Sequence, residues 1–227
     1  MRDTSPLASL WREMRPAAVV SIAAVSAQDE TEMRDAGVIV VSTLLSPISG
    51  RTATSVPQTL IGRLQVEHLA VKGHRRLGYA APDDPRVGDF FHLRLDGARI
   101  ACLDLGLDLP EVLTVPLDVT AAAEAVTQWR AHDEPVTAVC AYNDEVAFAV
   151  LAGMHQLGLT APHDLAVVGV DNIPLATLAS PPLTTIDQRL DLLTVHMAGQ
   201  IVSALRGGPA PAPLRSDSVK LVERESA

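Results

Sequence analysis

Aromatic residues are scarce in this chain of 227 residues: they occupy 3% of the positions, whereas hydrophobic residues occupy 48%. Ala, Val and Leu side chains must therefore fill most of any core. Cysteines are also few, and the two present, Cys102 and Cys140, lie too far apart to match a metal-binding or redox motif. Both stand in apolar stretches, so we expect buried free thiols in a reducing compartment.

Long apolar runs are absent as well, and no stretch approaches the length of a membrane span. Charges at Arg12, Glu13 and Arg15 interrupt the N-terminal segment, which is not typical of a signal peptide. The formal net charge of -9, from 18 basic and 27 acidic residues, provides no overall electrostatic footprint for nucleic acid. These features predict a soluble cytoplasmic protein without a membrane partner.

The sequence contains none of the common catalytic motifs. A GxSxG nucleophile elbow, an HExxH zinc motif, a Walker loop and a GxGxxG loop are all missing. The seven histidines are scattered, and His132 lies at a predicted helix end, where a solvated loop is the simpler interpretation. We therefore expect no enzyme activity, no catalytic residue, no metal site and no cofactor.

Apolar β-branched segments alternate with segments of helical periodicity along the chain, which predicts an α/β fold with parallel sheets flanked by helices. Strands are predicted at 17–25, 38–41, 76–80, 111–115 and 218–223, besides those within 136–188. Helices are predicted at 5–14, 28–36, 57–72, 89–105, 119–132 and 190–205. Residues 44–55 are predicted to form a loop or crossover, and 208–213 a Pro-rich linker.

The most informative segment, 136–188, is predicted to form strand, helix, strand and then a loop into another strand. Its first two strands end on polar pairs, Asn143-Asp144 and Asp171-Asn172. In parallel sheets, ligands bind in the crevice beyond the carboxyl ends of the strands. The segment thus predicts a binding site for a small molecule.

Three segments of the chain resemble the LacI (lactose-repressor) family of transcription regulators. They are VEHLAVKGHRRLGYAAPDD at 66–84, the run from TAVCAYND to SPPLTTI at 137–186, and LVERES at 221–226. Each motif alone is moderately specific, but their order and spacing over about 160 residues make the resemblance strong.

The resemblance implies an effector-binding domain with the two-lobed fold of type I periplasmic binding proteins. The expected N-terminal lobe comprises 1–55 plus 187–212, and the expected C-terminal lobe 56–186 plus 213–227. Relative to the family, the helix-turn-helix domain and the first two strands of the N-terminal lobe are missing, so the first lobe is expected to be incomplete.

Carried over residue by residue, the resemblance implies that Arg94, Asn143 and Asp171 bind a small-molecule effector, a sugar or a related metabolite. A guanidinium fork suits hydroxyls and carboxylates, an amide both donates and accepts, and a carboxylate accepts from hydroxyls. Each residue also has a structural alternative. Arg94 could be a surface helix residue, Asn143 a helix cap and Asp171 part of an Asx turn.

The resulting prediction is a sensing domain whose effector alters operator binding by the full-length regulator, through two conformational states. A homodimer is expected, with operator DNA bound only through a helix-turn-helix domain that this chain lacks. The alternatives are a solute-binding protein of a sugar transport system and a truncated remnant that does not bind DNA.

Overall fold

A computed structural model of the chain describes residues 6–21, 25–42, 56–209 and 219–227. The chain divides into two compact units, Met1–Val56 with Arg189–Ser218 and Pro57–Gln188 with Val219–Ala227. These borders differ by a few residues from those of the expected lobes, whose role as ligand-binding lobes stays a prediction. The predicted crossover at 44–55 and most of the predicted linker at 208–213 lie outside the described residues.

The first unit contains a parallel strand pair, in which Ala18 pairs with Ile39 and Ser21 with Ser42. Its described elements are helix α1 (Pro6–Met14), strand β1 (Ala18–Ser21), helix α2 (Ala27–Asp35), strand β2 (Ile39–Ser42) and helix α7 (Leu190–Leu205). Its small core includes Met33, which is fully buried, with Val38 and Val40.

The second unit is built on a six-stranded sheet. The strands are β3 (Leu77–Ala81), β4 (Glu111–Thr114), β5 (Ala138–Ala141), β6 (Ala166–Val170), β7 (Thr184–Asp187) and β8 (Lys220–Val222). Their order across the sheet is β4-β3-β5-β6-β7-β8. All neighbouring pairs are parallel except β7 and β8, which are antiparallel. The predicted α/β class with a parallel sheet is confirmed.

Four helices accompany the parallel strands of this unit: the first precedes β3, and the other three connect successive strands. They are α3 (Gln58–Val71), α4 (Gly88–Asp104), α5 (Val119–Arg130) and α6 (Asp144–Gln156). Gly73 and Gly106 lie just beyond the ends of α3 and α4, with φ values of 95° and 63°, respectively. Glycine adopts this left-handed conformation without the steric cost that a Cβ imposes, which explains why both helices end where the sequence predicts.

Small aliphatic side chains fill the core of this unit, as the composition predicts. Fully buried alanines and valines line β5 and β6, and the thiols of Cys102 and Cys140 are buried and unpaired. The one fully buried tryptophan of the described core, Trp129, donates a hydrogen bond from Nε1 to the Glu111 carbonyl over 3.2 Å. Among the described helices, none combines the length and apolar character needed to cross a membrane.

The residues after β8 pin the start of β6 to the start of β7. The Ser226 hydroxyl is fully buried, donates to the Val167 carbonyl over 2.7 Å and accepts from the Thr184 amide over 2.8 Å. The Val167 amide in turn donates to the Ser226 carbonyl over 2.8 Å. The LVERES motif therefore supplies the edge strand β8 and, through Ser226, the hydrogen bonds that join the amino ends of β6 and β7.

Helices α3 and α4 approach each other so closely that two glycines are required between them. A Cβ on Gly62 would lie 1.9 Å from the Arg94 carbonyl oxygen, and one on Gly97 would lie 1.9 Å from the Thr59 carbonyl oxygen. Because both obstacles are backbone atoms, neither can move aside as a side chain could. This contact sets the position of the α4 turn that carries Arg94.

We expect Gly62→Ala and Gly97→Ala each to lower the free energy of unfolding by about 1–3 kcal/mol or more, because the added methyl group forces the helices apart. Chemical denaturation monitored by circular dichroism measures this change. Gly88→Ala is the matched control, since a Cβ there meets nothing within 4 Å. Equal stability of Gly62→Ala and Gly88→Ala would contradict the close helix contact.

Candidate functional site

The polar pairs predicted to face a ligand follow neighbouring strands of one sheet. Strand β5 ends at Ala141 and strand β6 at Val170, and the two strands pair in parallel. Asn143 and Asp171 therefore emerge at the same edge of the sheet, the edge at which parallel sheets bind their ligands.

Helix α4, which precedes β5 and β6 in the sequence, places Arg94 at the same edge of the sheet, where its guanidinium is buried. The residue is 4% exposed, so the alternative of a surface helix residue is wrong. Its Nη1 donates to the Tyr142 carbonyl over 2.6 Å, and its Cζ lies 4.6 Å from the centroid of the Tyr142 ring. The hydrogen bond to the Tyr142 carbonyl and the cation–π contact stabilise the buried cation, which makes no direct hydrogen bond to a carboxylate.

Asn143 caps helix α6, as its structural alternative predicts. Its Oδ1 accepts a hydrogen bond from the Val146 amide over 2.9 Å. The capping bond uses the amide oxygen alone, and Nδ2 makes no hydrogen bond within the described parts of the chain. Capping therefore leaves Nδ2, which can only donate, without a hydrogen bond in these parts of the chain.

Asp171 follows β6 in an uncommon backbone conformation, with φ at 110°, and Asn172 follows with φ at 52°. The Asp171 side chain is 26% exposed, and its Oδ1 accepts a hydrogen bond from Gln188 Nε2 and lies 3.9 Å from Arg94 Nη2. Burial raises the pKa of Asp171, and the neighbouring positive charge of Arg94 opposes that rise. Positive φ in residues other than glycine costs about 1–3 kcal/mol each, so surrounding contacts must hold this loop.

The buried carboxylate of Asp144 provides one of these contacts. Its Oδ2 accepts from the Ile173 amide over 2.9 Å, and its Oδ1 accepts from the Thr185 hydroxyl over 2.5 Å. Gly169 leaves the space for this carboxylate, because a Cβ there would lie 2.3 Å from Asp144 Oδ1. Asp144 therefore joins the start of α6 to the loop after β6 and to β7.

Arg224, beyond β8, holds the same loop from the other side. Its Nη2 donates to Asn172 Oδ1 over 2.7 Å, and its Nη1 donates to the Leu183 carbonyl over 2.6 Å. The Asp171 amide adds a hydrogen bond to the Ile186 carbonyl over 2.8 Å. The loop that presents Asp171 is thus fixed by partners from α6, β7 and the segment after β8.

Sequence patterns did not reveal three buried glutamines that organise this edge. Gln65 donates from Nε2 to the carbonyls of Ala141 and Val168 over 2.9 and 3.0 Å, so it ties α3 to the ends of β5 and β6. Gln58 accepts from Arg94 Nε over 2.8 Å, and Gln188 contacts Asp171. The only signal was a polar residue at an apolar position of a helix, as at Gln65, and that signal does not identify a partner.

The arrangement offers a ligand an amide donor, a cation and a carboxylate within one small region. Arg94 Nη2 and Asp171 Oδ2 make no hydrogen bond within the described residues, so both can bind a ligand. The described residues contain no cluster of three or more His, Cys, Asp or Glu side chains suited to hold a metal ion. These groups match a polar, hydroxyl-bearing molecule.

Comparison with known proteins points the same way. A family model described as a periplasmic binding protein-like domain matches residues 66–227. The ribose operon repressor of Escherichia coli (strain K12) is 34% identical over 151 residues, which cover 65% of this chain and 45% of that protein. The HTH-type transcriptional regulator CelR of Thermobifida fusca is 33% identical over 149 residues, 64% of this chain and 43% of that protein. The chain thus spans less than half the length of these relatives.

Solved structures share the fold over nearly the whole chain. A sugar-binding transcriptional regulator of the LacI family from Escherichia coli, complexed with phosphate, has a TM-score of 0.81 at 20% identity. That match covers 96% of this chain and 80% of the other. A CelR–cellobiose complex has a TM-score of 0.78 at 26% identity and covers 97% of this chain and 69% of the other. The resemblance found in the sequence motifs is confirmed.

Asp144 predicts how stability depends on pH. Burial raises the pKa of Asp144 to about 6, so between about pH 4 and pH 6 the folded chain keeps a proton that the unfolded chain has released. The contribution of Asp144 to stability should fall as pH rises through this interval, by up to about 3 kcal/mol, and be constant above it. Asp144→Asn should reduce this slope, as measured by urea denaturation at a series of pH values.

The exposed carboxylate of Asp133 supplies the control, because Asp133→Asn should keep the wild-type slope. If Asp144→Asn showed the same pH dependence as the wild-type chain, the carboxylate would not be protonated in the folded state at these pH values.

Proposed function

The chain belongs to the periplasmic binding protein-like family, and we propose that it is the effector-sensing domain of a LacI-type transcription regulator. The observation that carries this proposal is the shared edge of the sheet, where Arg94, Asn143 and Asp171 present three atoms, Nη2, Nδ2 and Oδ2, that make no hydrogen bond within the described residues. Relatives named as repressors and regulators favour this function over a transport protein or an enzyme.

The proposed ligand is a sugar or a related metabolite. Asp171 accepts from a ligand hydroxyl through Oδ2, Arg94 donates through Nη2, and Asn143 donates through Nδ2. Vicinal hydroxyls suit this set because each hydroxyl both donates and accepts. One relative is named for the ribose operon, and a LacI family regulator from Enterococcus faecium with bound ribose matches this chain with a TM-score of 0.79 at 23% identity.

In this proposal the ligand acts on transcription by differential binding. A ligand shifts a conformational equilibrium only as far as it binds one state more tightly than the other. The expected response is a change in operator affinity of the full-length regulator, in which a helix-turn-helix domain contacts DNA. The proposed site of action is the cytoplasm.

The proposed assembly is a homodimer. The resemblance to LacI-type regulators supports this proposal, and Leu103, Leu175 and Leu178, each more than half exposed, offer apolar surface for an interface. We expect a molecular mass twice that of one chain in sedimentation-velocity experiments at micromolar concentration. A single species with the mass of one chain at the highest soluble concentration would contradict the dimer.

Ligand binding is tested most directly at Asp171. With D-ribose as the probe, Asp171→Ala should weaken binding by more than about 1 kcal/mol, because a largely buried hydrogen bond is lost. Isothermal titration calorimetry measures this difference on the purified chain. Asp133→Asn, which removes an exposed carboxylate, should bind ribose as the wild-type chain does.

An Asp171→Ala variant with unchanged ribose affinity would show that the ligand binds elsewhere. If the wild-type chain binds neither ribose nor cellobiose, the proposed sugar class is wrong, whereas the fold and the arrangement of the polar groups are unaffected.

A further inference from the structure

Arg94 and Asp171 carry opposite charges at short range, yet they do not form a direct hydrogen bond. The nearest approach is 3.9 Å between Arg94 Nη2 and Asp171 Oδ1, with the two side chains 5% and 26% exposed. Arginine and carboxylate normally close to about 2.7–2.9 Å, often through two parallel bonds, and burial strengthens their attraction. Other contacts in the structure must therefore keep the guanidinium and the carboxylate apart.

Two buried glutamines form a bridge between the charged groups. Arg94 Nε donates to Gln58 Oε1 over 2.8 Å, Gln58 Nε2 donates to Gln188 Oε1 over 3.4 Å, and Gln188 Nε2 donates to Asp171 Oδ1. A guanidinium can only donate and a carboxylate can only accept, so the two ends determine the orientation of both amides. All hydrogen bonds of the bridge run in one direction, from the cation to the anion.

The bridge occupies the atoms that a closed ion pair would use. Gln58 takes Nε of Arg94, the Tyr142 carbonyl takes Nη1, and Gln188 takes Oδ1 of Asp171. Gln58 and Gln188 are 4% and 5% exposed, so releasing either amide would leave buried polar atoms unpaired. Nη2 of Arg94 and Oδ2 of Asp171 remain available for a hydrogen bond to a ligand.

We propose that Gln58 and Gln188 are positioning residues that hold Arg94 and Asp171 apart, so that both charged groups remain open to a ligand. The inference rests on the proposed function for its ligand-binding consequence. The spacing itself is a property of the free protein and is testable without any ligand.

Gln58→Leu and Gln188→Leu remove the bridge with little change in side-chain volume. We expect Arg94 to close onto Asp171 in both variants, which moves the titration midpoint of the Asp171 carboxyl carbon to lower pH in NMR spectra of the ligand-free chain. If the glutamines served only as local hydrogen-bond partners, Gln58→Leu would leave the midpoint in place. Gln188→Leu would then raise it, because the charged form loses a donor.

The acidic groups whose charges interact with Asp171 are Asp144 and Glu145, and both are followed in the same spectra. Gln128→Leu makes the same substitution at an exposed position of α5 and should leave the Asp171 midpoint unchanged. Gln58→Met provides a second bridge variant with a more adaptable side chain if Gln58→Leu does not fold. An unchanged or higher midpoint in the folded bridge variants overturns the inference.

Ribose affinity separates this inference from the proposed function. Closure of the ion pair should weaken ribose binding roughly tenfold or more in Gln58→Leu, although Gln58 is assigned no ligand contact. Unchanged affinity together with a lower midpoint would refute the ligand-binding consequence. Failure of the wild-type chain to bind ribose would count against the proposed function alone, because the NMR titration needs no ligand.

Discussion

The buried guanidinium of Arg94 is the constraint around which the proposed site is built. Its N–H groups need hydrogen-bond acceptors, and these acceptors must leave its positive charge available. Arg94 meets both requirements with a glutamine, a carbonyl and an aromatic ring, none of which carries a charge. Burial of an unpaired charge would cost several kcal/mol, so these neutral partners are what permit the cation at this edge of the sheet. Helix α4 supplies the guanidinium, and the start of α3 and the residue after β5 supply its hydrogen-bond acceptors.

The carboxylate of Asp144 plays the corresponding part for the loop after β6. It accepts hydrogen bonds from one backbone amide and one hydroxyl, and Gly169 provides the space that it needs. With Arg224 on the other side, it holds Asp171 and Asn172 in conformations that an unsupported loop would leave. The site therefore depends on buried polar contacts as much as on the apolar core beneath it.

Sequence patterns predicted the strands and helices of the described residues to within a few positions, because apolar runs, glycines and prolines mark their ends locally. The short 3₁₀ turns at Pro85–Val87 and Pro174–Thr177 were missed, since so few residues carry no periodicity. Asn143 and Asp171 were placed correctly at the ends of neighbouring strands. The contact of Gln58 with Gln188 could not be predicted, because 130 positions separate them and either residue alone is an ordinary amide.

The glycine contact between α3 and α4 has an evolutionary consequence. With backbone meeting backbone at Gly62 and Gly97, no residue with a Cβ can replace either glycine unless the two helices move apart. Descendants of this sequence that acquire a new ligand are then expected to replace residues outside this contact, such as Arg94 or those in the turns after β5 and β6. The helix contact is therefore expected to be inherited unchanged, while the side chains around the proposed site vary.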